Sequence, residues 1–106
     1  MKVLLDECVD PALAVHFARH EEVGVVAAGL TSIANGELLR AATSLFDAFI
    51  TVDKGIVYQQ NLASFDLIFV LLRVGSNRAD ALAPHVGRIE SILDSAERGR
   101  FYIIEP

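Results

Sequence analysis

Cysteine and long apolar runs are both scarce in this chain of 106 residues. Cys8 is the single cysteine, which excludes an internal disulfide and fits a reducing compartment. The longest apolar run, Leu67 to Leu72, is far shorter than the roughly 20 residues that a bilayer helix needs. The first residues read as a strand and lack the architecture of a signal peptide. We therefore expect a cytoplasmic protein that does not enter a membrane.

Basic residues are also few. The chain has 9 Lys and Arg against 14 Asp and Glu, for a formal net charge of −5. This balance argues against a protein that holds nucleic acid by bulk electrostatics, because phosphate neutralisation needs a footprint of basic residues. The net charge is still compatible with an enzyme whose negative charge is concentrated around a metal ion, because a bound cation reverses the sign of the local charge.

Apolar residues, by contrast, are abundant. They make up 53% of the chain, which is enough for the core of one domain spanning residues 1–106. Strand and helix patterns alternate along it. The predicted strands are Lys2–Leu5, Glu22–Ala27, Asp47–Val52, Leu67–Leu72 and Phe101–Ile104. Continuous apolar strands alternating with helices predict an α/β fold, with three α/β/α layers around a mainly parallel five-stranded sheet. If the first and third strands are neighbours, the strand order is 2-1-3-4-5.

Three helices are predicted between these strands. Asp10 caps the first, with Pro11 at its first position and Leu13 and Phe17 on its buried side, and this helix is expected to end near Arg19 and His20. Asn35 caps the second, with its buried side at Leu38, Leu39, Ala42 and Leu45. The third covers Arg78–Ala96, where one apolar stripe runs through Leu82, Val86, Ile89, Ile92 and Leu93.

Acidic residues stand where two of the predicted strands end. Asp6 and Glu7 follow the first strand, and Asp53 follows the third. Ligands of open parallel sheets bind beyond the carboxyl ends of the strands, so this edge is a candidate site. Glu37, in the first turn of the second helix, is expected at the same edge. Carboxylates this close repel one another unless a cation lies among them, and Mg²⁺ or Mn²⁺ prefers such oxygen ligands.

Further polar groups are expected to converge on that edge. Lys54, Arg73 and Arg78 are candidates to hold the phosphates of a substrate, and a metal site beside them could activate water against a phosphodiester. Amide side chains complete the predicted substrate-binding set of Lys54, Gln60, Asn61, Asn77 and Arg78.

At this point the sequence resembles a known family, the short PIN-like proteins related to PIN-domain ribonucleases and VapC-type toxins. Five segments carry the resemblance: 3–8 (VLLDEC), 35–42 (NGELLRAA), 46–54 (FDAFITVDK), 59–62 (QQNL) and 76–78 (SNR). The resemblance implies a PIN-like fold, bound Mg²⁺ or Mn²⁺, cleavage of single-stranded RNA, and a small antitoxin partner with a DNA-binding domain.

The resemblance also assigns roles to individual residues. Asp6 matches the acid that closes the first strand, Glu37 the acid that opens the helix before the Thr-x-Asp strand, and Asp53 the aspartate of that element. These three are the expected catalytic and metal-binding residues. A further acid that PIN nucleases usually carry has no clear counterpart, and Glu7 is the candidate to replace it.

Other interpretations stay open. Asp6 could cap a turn, Asp53 could cap a short helix, and Glu37 could complement a helix dipole. An inactive PIN-like module that binds a partner or forms a homodimer is the main alternative function. A signalling receiver also carries an acid pair after its first strand and an aspartate after its third. In a receiver a lysine follows the last strand, whereas here the chain reads Ile103, Ile104 and Glu105, and this argues against a receiver.

Overall fold

The fold is built on a parallel sheet. The computed structural model describes residues 2–17, 22–25, 39–40, 42–55 and 64–105. Its strands are β1 (Lys2–Leu5), β2 (Glu22–Val25), β3 (Ala48–Thr51), β4 (Ile68–Leu72) and β5 (Phe101–Ile104). They lie in the order β2-β1-β3-β4-β5, and every neighbouring pair is parallel. The expected α/β class with a parallel sheet is therefore confirmed, as is the neighbouring position of the first and third strands.

Alternating side chains place an apolar cluster on each face of the sheet. On one face, Leu5 and Ile50 pack with Leu13 of the segment after β1 and with Ile89 near the C-terminus. On the other face, the core is formed by Leu4, Leu39, Ala42, Phe49, Phe65, Leu67 and Phe69. The strands are consequently apolar on both sides, as buried parallel strands should be.

The helix after β1 is shorter and tighter than the sequence predicts. It is a 3₁₀ helix, Pro11–His16, and Asp10 caps it as expected by accepting a hydrogen bond from the Ala12 N–H. Leu13 and Phe17 are buried, also as expected.

The prediction for the second helix is wrong at Leu45. Residues 39–40 and 42–45 are helical, and Leu39 and Ala42 are buried as predicted, but Leu45 is 63% exposed. The helix ends there, and the next residue, Phe46, packs against the apolar cluster instead. Asn35 and Leu38 lie outside the described residues.

The predicted helix Arg78–Ala96 is interrupted. It forms the α-helical turn Ala79–Leu82, a 3₁₀ turn Ala83–His85 and the helix Val86–Ser95. Pro84 explains the break, since proline has no N–H for the helix ladder and its ring clashes with the preceding turn. The stripe survives the break because Leu82, Val86, Ile89 and Leu93 are buried and Ile92 is partly buried.

The amino edge of the sheet is held together by polar contacts. The carboxylate of Asp47 accepts a hydrogen bond of 2.7 Å from the Lys2 N–H and one of 2.7 Å from Arg98. Arg98 also donates to Asp66 at 2.9 Å. The Lys2 N–H, more than Arg98, holds the pKa of Asp47 below its usual value. Within the described part of the chain, no helix is long and apolar enough to cross a membrane.

Candidate active site at the carboxyl edge of the sheet

Asp6 is the buried acid of the carboxyl edge. It follows β1, its N–H donates to the Ile50 carbonyl at 2.9 Å, and its side chain is 0% exposed. The Glu7 N–H donates to Oδ1 at 2.8 Å, and the Thr51 hydroxyl donates to Oδ2 at 2.7 Å. A buried carboxylate is costly unless its oxygens are hydrogen-bonded or bind a cation. The burial of Asp6 thus depends on the donors that surround it.

Thr51 connects Asp6 to Asp53. While its hydroxyl donates to Asp6, its oxygen accepts a hydrogen bond of 3.0 Å from the Asp53 N–H. The two acids predicted at neighbouring strand ends are therefore linked through one buried side chain of β3. Asp53 itself is exposed, and its Oδ1 accepts from the Gly55 N–H at 2.9 Å, so it also caps the turn that follows β3.

Cys8 is a member of this site that the sequence analysis did not identify. Its Sγ lies 3.3 Å from Oδ2 of Asp6 and 3.4 Å from the Thr51 hydroxyl. Burial raises the pKa of the Cys8 thiol, opposed by the hydrogen bond with Thr51. The thiol is therefore kept protonated and can donate to the carboxylate. The only signal in the sequence was its position two residues after Asp6.

Asp10 joins two loops of the same edge. Besides capping the 3₁₀ helix, its Oδ2 accepts a hydrogen bond of 3.0 Å from the Ala79 N–H, and its own N–H donates to the Asn77 carbonyl at 2.9 Å. The Ala79 N–H is the main reason that the pKa of Asp10 is lowered. These bonds bring Asn77 and Arg78 next to the loop after β1. Both side chains are exposed, and Arg78 pairs with Asp80 at 3.3 Å.

A cavity of about 350 Å³ opens between the ends of β3 and β4. Its described lining comprises Val52, Lys54, Leu72, Arg73, Gly75 and Ser76. Gly75 has a φ of 82°, a left-handed conformation that glycine adopts without strain, and it turns the chain away from β4. Two cationic side chains, Lys54 and Arg73, thus border this space, and Asp53 is not among its described lining residues. Arg73 also lies 3.7 Å from Glu105.

Six of the predicted site residues lie at this edge of the sheet, and three more fall outside the described residues. Asp6, Glu7, Asp53, Lys54, Asn77 and Arg78 all follow the carboxyl ends of β1, β3 or β4. Glu37, Gln60 and Asn61 lie in the part of the chain that the structure does not describe. Glu7 is partly buried.

The carboxylates of Asp6 and Asp53 are suitable ligands for a hard divalent ion, but two carboxylates do not complete a metal site. Asp6 and Asp53 supply oxygen donors of the kind that Mg²⁺ and Mn²⁺ prefer. Among the described residues, however, no three His, Cys, Asp or Glu side chains are grouped as metal ligands.

Comparisons with known proteins assign no family to this arrangement. No protein-family model, curated protein or solved structure matches the chain.

Proposed function

We propose that this chain is a PIN-like, Mg²⁺- or Mn²⁺-dependent endoribonuclease and the toxin of a toxin–antitoxin module. The observation that carries the proposal is the Thr51 hydroxyl, which donates to the buried Asp6 carboxylate and accepts from the backbone N–H of Asp53. It joins two acids at the ends of adjacent central strands, where open α/β sheets bind their ligands.

The acids have distinct places in this proposal. Asp6 is fully buried, and three donors among the described residues orient its carboxylate, which is therefore preorganised. Asp53 is exposed, so its carboxylate is accessible from solvent. Together with Glu37, and with Glu7 as the fourth acid, they would hold the ion. When bound, Mg²⁺ or Mn²⁺ supplies an activated water and neutralises charge on the phosphodiester.

The basic cavity supports RNA as the substrate. Lys54 and Arg73 lie where phosphates flanking the cleaved bond could be held, although the chain as a whole carries a net charge of −5. We propose that this cavity, lined by Lys54 next to Asp53 in the sequence, receives part of the polyanion. Gln60, Asn61, Asn77 and Arg78 are proposed to contact the RNA as well. A small antitoxin with a DNA-binding domain is the proposed protein partner, in the cytoplasm.

A cleavage assay on single-stranded RNA with Mn²⁺ tests the proposal. We expect cleavage by the native chain, no cleavage with chelator, and losses of about 100-fold or more in Asp6→Asn and Asp53→Asn. Asp66→Asn is the matched control, because Asp66 is an exposed aspartate just before β4, at the opposite edge. Since Asp53 is exposed, Asp53→Asn should fold normally and stays informative even if Asp6→Asn unfolds. Equal activity in all the variants would refute the assignment of the site.

A partner-binding module without catalysis is the second candidate function. The Asp6 and Asp53 carboxylates already have structural hydrogen bonds, and the described residues form no group of three metal ligands. This alternative predicts that Mn²⁺ titration calorimetry shows no binding heat. Binding that disappears in Asp53→Asn would favour the nuclease instead.

A further inference from the structure

The cavity between the ends of β3 and β4 combines positive charge with apolar surface. Lys54 and Arg73 line it together with Val52 and Leu72, and its volume is about 350 Å³. Binding pockets for small ligands start at about 300 Å³, so the space suits one small molecule or one unit of a longer one. It lies beyond the carboxyl ends of two adjacent parallel strands, where open α/β sheets bind their ligands.

Both cations of the cavity are accessible to an anion. Lys54 is exposed, and its ammonium group forms no ion pair with another described residue. Arg73 lies 3.7 Å from Glu105, and the two side chains are 52% and 65% exposed. An ion pair between side chains this exposed contributes little to stability. A ligand phosphate can therefore take the place of Glu105 beside Arg73.

The turn after β4 adds backbone donors to the same cavity. Gly75 and Ser76 line it, and their N–H groups donate to no acceptor in the described part of the chain. Gly75 has a φ of 82°, and a Cβ placed on it would meet no atom within 4 Å. Successive N–H groups of such turns form concave anion-binding sites. The turn thus supplies neutral donors next to the two cations.

We propose that this cavity binds a phosphate monoester and does so without a metal ion. A monoester carries a charge of about −1.5 to −2 near neutral pH, which matches the two cations, whereas a phosphodiester within an RNA strand carries one negative charge. Lys54 supplies a point charge, and Arg73 supplies a planar fork that binds two phosphate oxygens. Val52 and Leu72 offer apolar surface to the sugar or base that bears the phosphate.

Two ligands share this chemistry: the phosphorylated end of an RNA strand and a free nucleoside monophosphate. The RNA end deepens the proposed function and rests on it, since it would fix one end of the substrate at the carboxyl edge of the sheet. The phosphate site itself does not rest on that function.

Calorimetric titration of the full chain in the presence of a chelator tests the proposal. The probes are adenosine monophosphate, adenosine, and an adenosine dinucleotide with and without a terminal phosphate. We expect each phosphorylated probe to bind about tenfold or more tighter than its unphosphorylated counterpart. Equal binding within either pair would overturn the proposal, as would no binding of adenosine monophosphate at millimolar concentration. Tighter binding of the phosphorylated dinucleotide than of adenosine monophosphate would identify the RNA end as the ligand, and equal binding of the two would identify the free nucleotide.

Variants of the exposed cations locate the site. Lys54→Gln and Arg73→Gln should each raise the dissociation constant of adenosine monophosphate about tenfold or more. Arg100→Gln is the matched control and should bind normally, because Arg100 is an exposed arginine that pairs with Glu97 just before β5, at the opposite edge. An equal loss in Arg100→Gln would overturn the proposal, since the binding would then be non-specific.

Nuclear magnetic resonance gives a second measurement that does not depend on activity. The amide signals of Gly75 and Ser76 should shift as adenosine monophosphate is added, and unchanged signals would contradict the role of the turn. Circular dichroism would show that each variant folds. Because the chelator removes the ion that cleavage requires, these titrations test the phosphate site separately from the proposed function.

Discussion

Replacing Thr51 by valine tests whether the link between Asp6 and Asp53 stabilises the fold. Valine keeps the shape and the β-branch of threonine, so the change removes the hydroxyl and little else. Thr51 is 2% exposed, and water cannot readily replace the lost donor. The structure therefore predicts a large effect for a substitution that appears conservative.

The expected magnitude follows from two opposing contributions. A hydrogen bond to a charged group contributes about 1.5–3 kcal/mol to stability. The added methyl group returns about 0.8 kcal/mol through apolar burial. The Asp53 N–H also loses its acceptor, but Asp53 is exposed and water can take that place. We expect Thr51→Val to lower the free energy of unfolding by about 1–2 kcal/mol.

Urea unfolding followed by circular dichroism measures this change. Thr43→Val is the matched control, because the Thr43 hydroxyl donates to the Arg40 carbonyl in an exposed helix, where the cost should stay within about 0.5 kcal/mol. The direction of the change in the free energy of unfolding tests this reasoning. If the hydroxyl did not stabilise Asp6, burying the extra methyl group would make Thr51→Val more stable than the native chain, and that result would refute the reasoning.

Two further predictions concern charged groups. The pKa of Asp10 is lowered in the folded chain, so the stability that its carboxylate contributes is present above the usual carboxyl pKa and is lost as pH falls through the folded value. The free energy of unfolding, measured at neutral and at acid pH, should therefore fall less on acidification in Asp10→Asn than in the native chain. Arg98→Ala removes contacts to Asp47 and Asp66 and should cost about 0.5–1 kcal/mol at low salt, less at high salt. A cost that does not change with salt would exclude the ion pairs as its source.

The strands could be predicted because their signal is local. The bounds of β1 and β5 agree with the predicted ones, and β3 and β4 differ by a residue at one or both ends. Each is an apolar run bounded by polar residues, a pattern typical of parallel strands. The helices were less predictable. Pro84 interrupts a periodic apolar stripe that reads as one helix, and the end of the helix before Phe46 exposes Leu45.

The sequence predicted the candidate site only to the extent that residues following adjacent parallel strands lie next to each other at one edge of the sheet. Asp6 and Asp53 were placed together by that rule, and the structure links them through Thr51. The rule says nothing about the turns between strands. The contacts of Cys8 with Thr51 and of Asp10 with Ala79 join residues far apart in sequence, and they depend on how two loops pack. Glu37 and the Gln60–Asn61 segment stay predictions.

The central place of β1 determines how this chain must fold. β1 pairs with β2 on one side and with β3 on the other, so Leu4 lies beside Gly24 and beside Phe49. During synthesis β1 leaves the ribosome well before β3 is made, and its apolar faces have no sheet to join. Parallel pairing over such separations is slow, because the loop must close before any contact forms. The strand that precedes Asp6 is therefore open to aggregation or to chaperones until β3 is made.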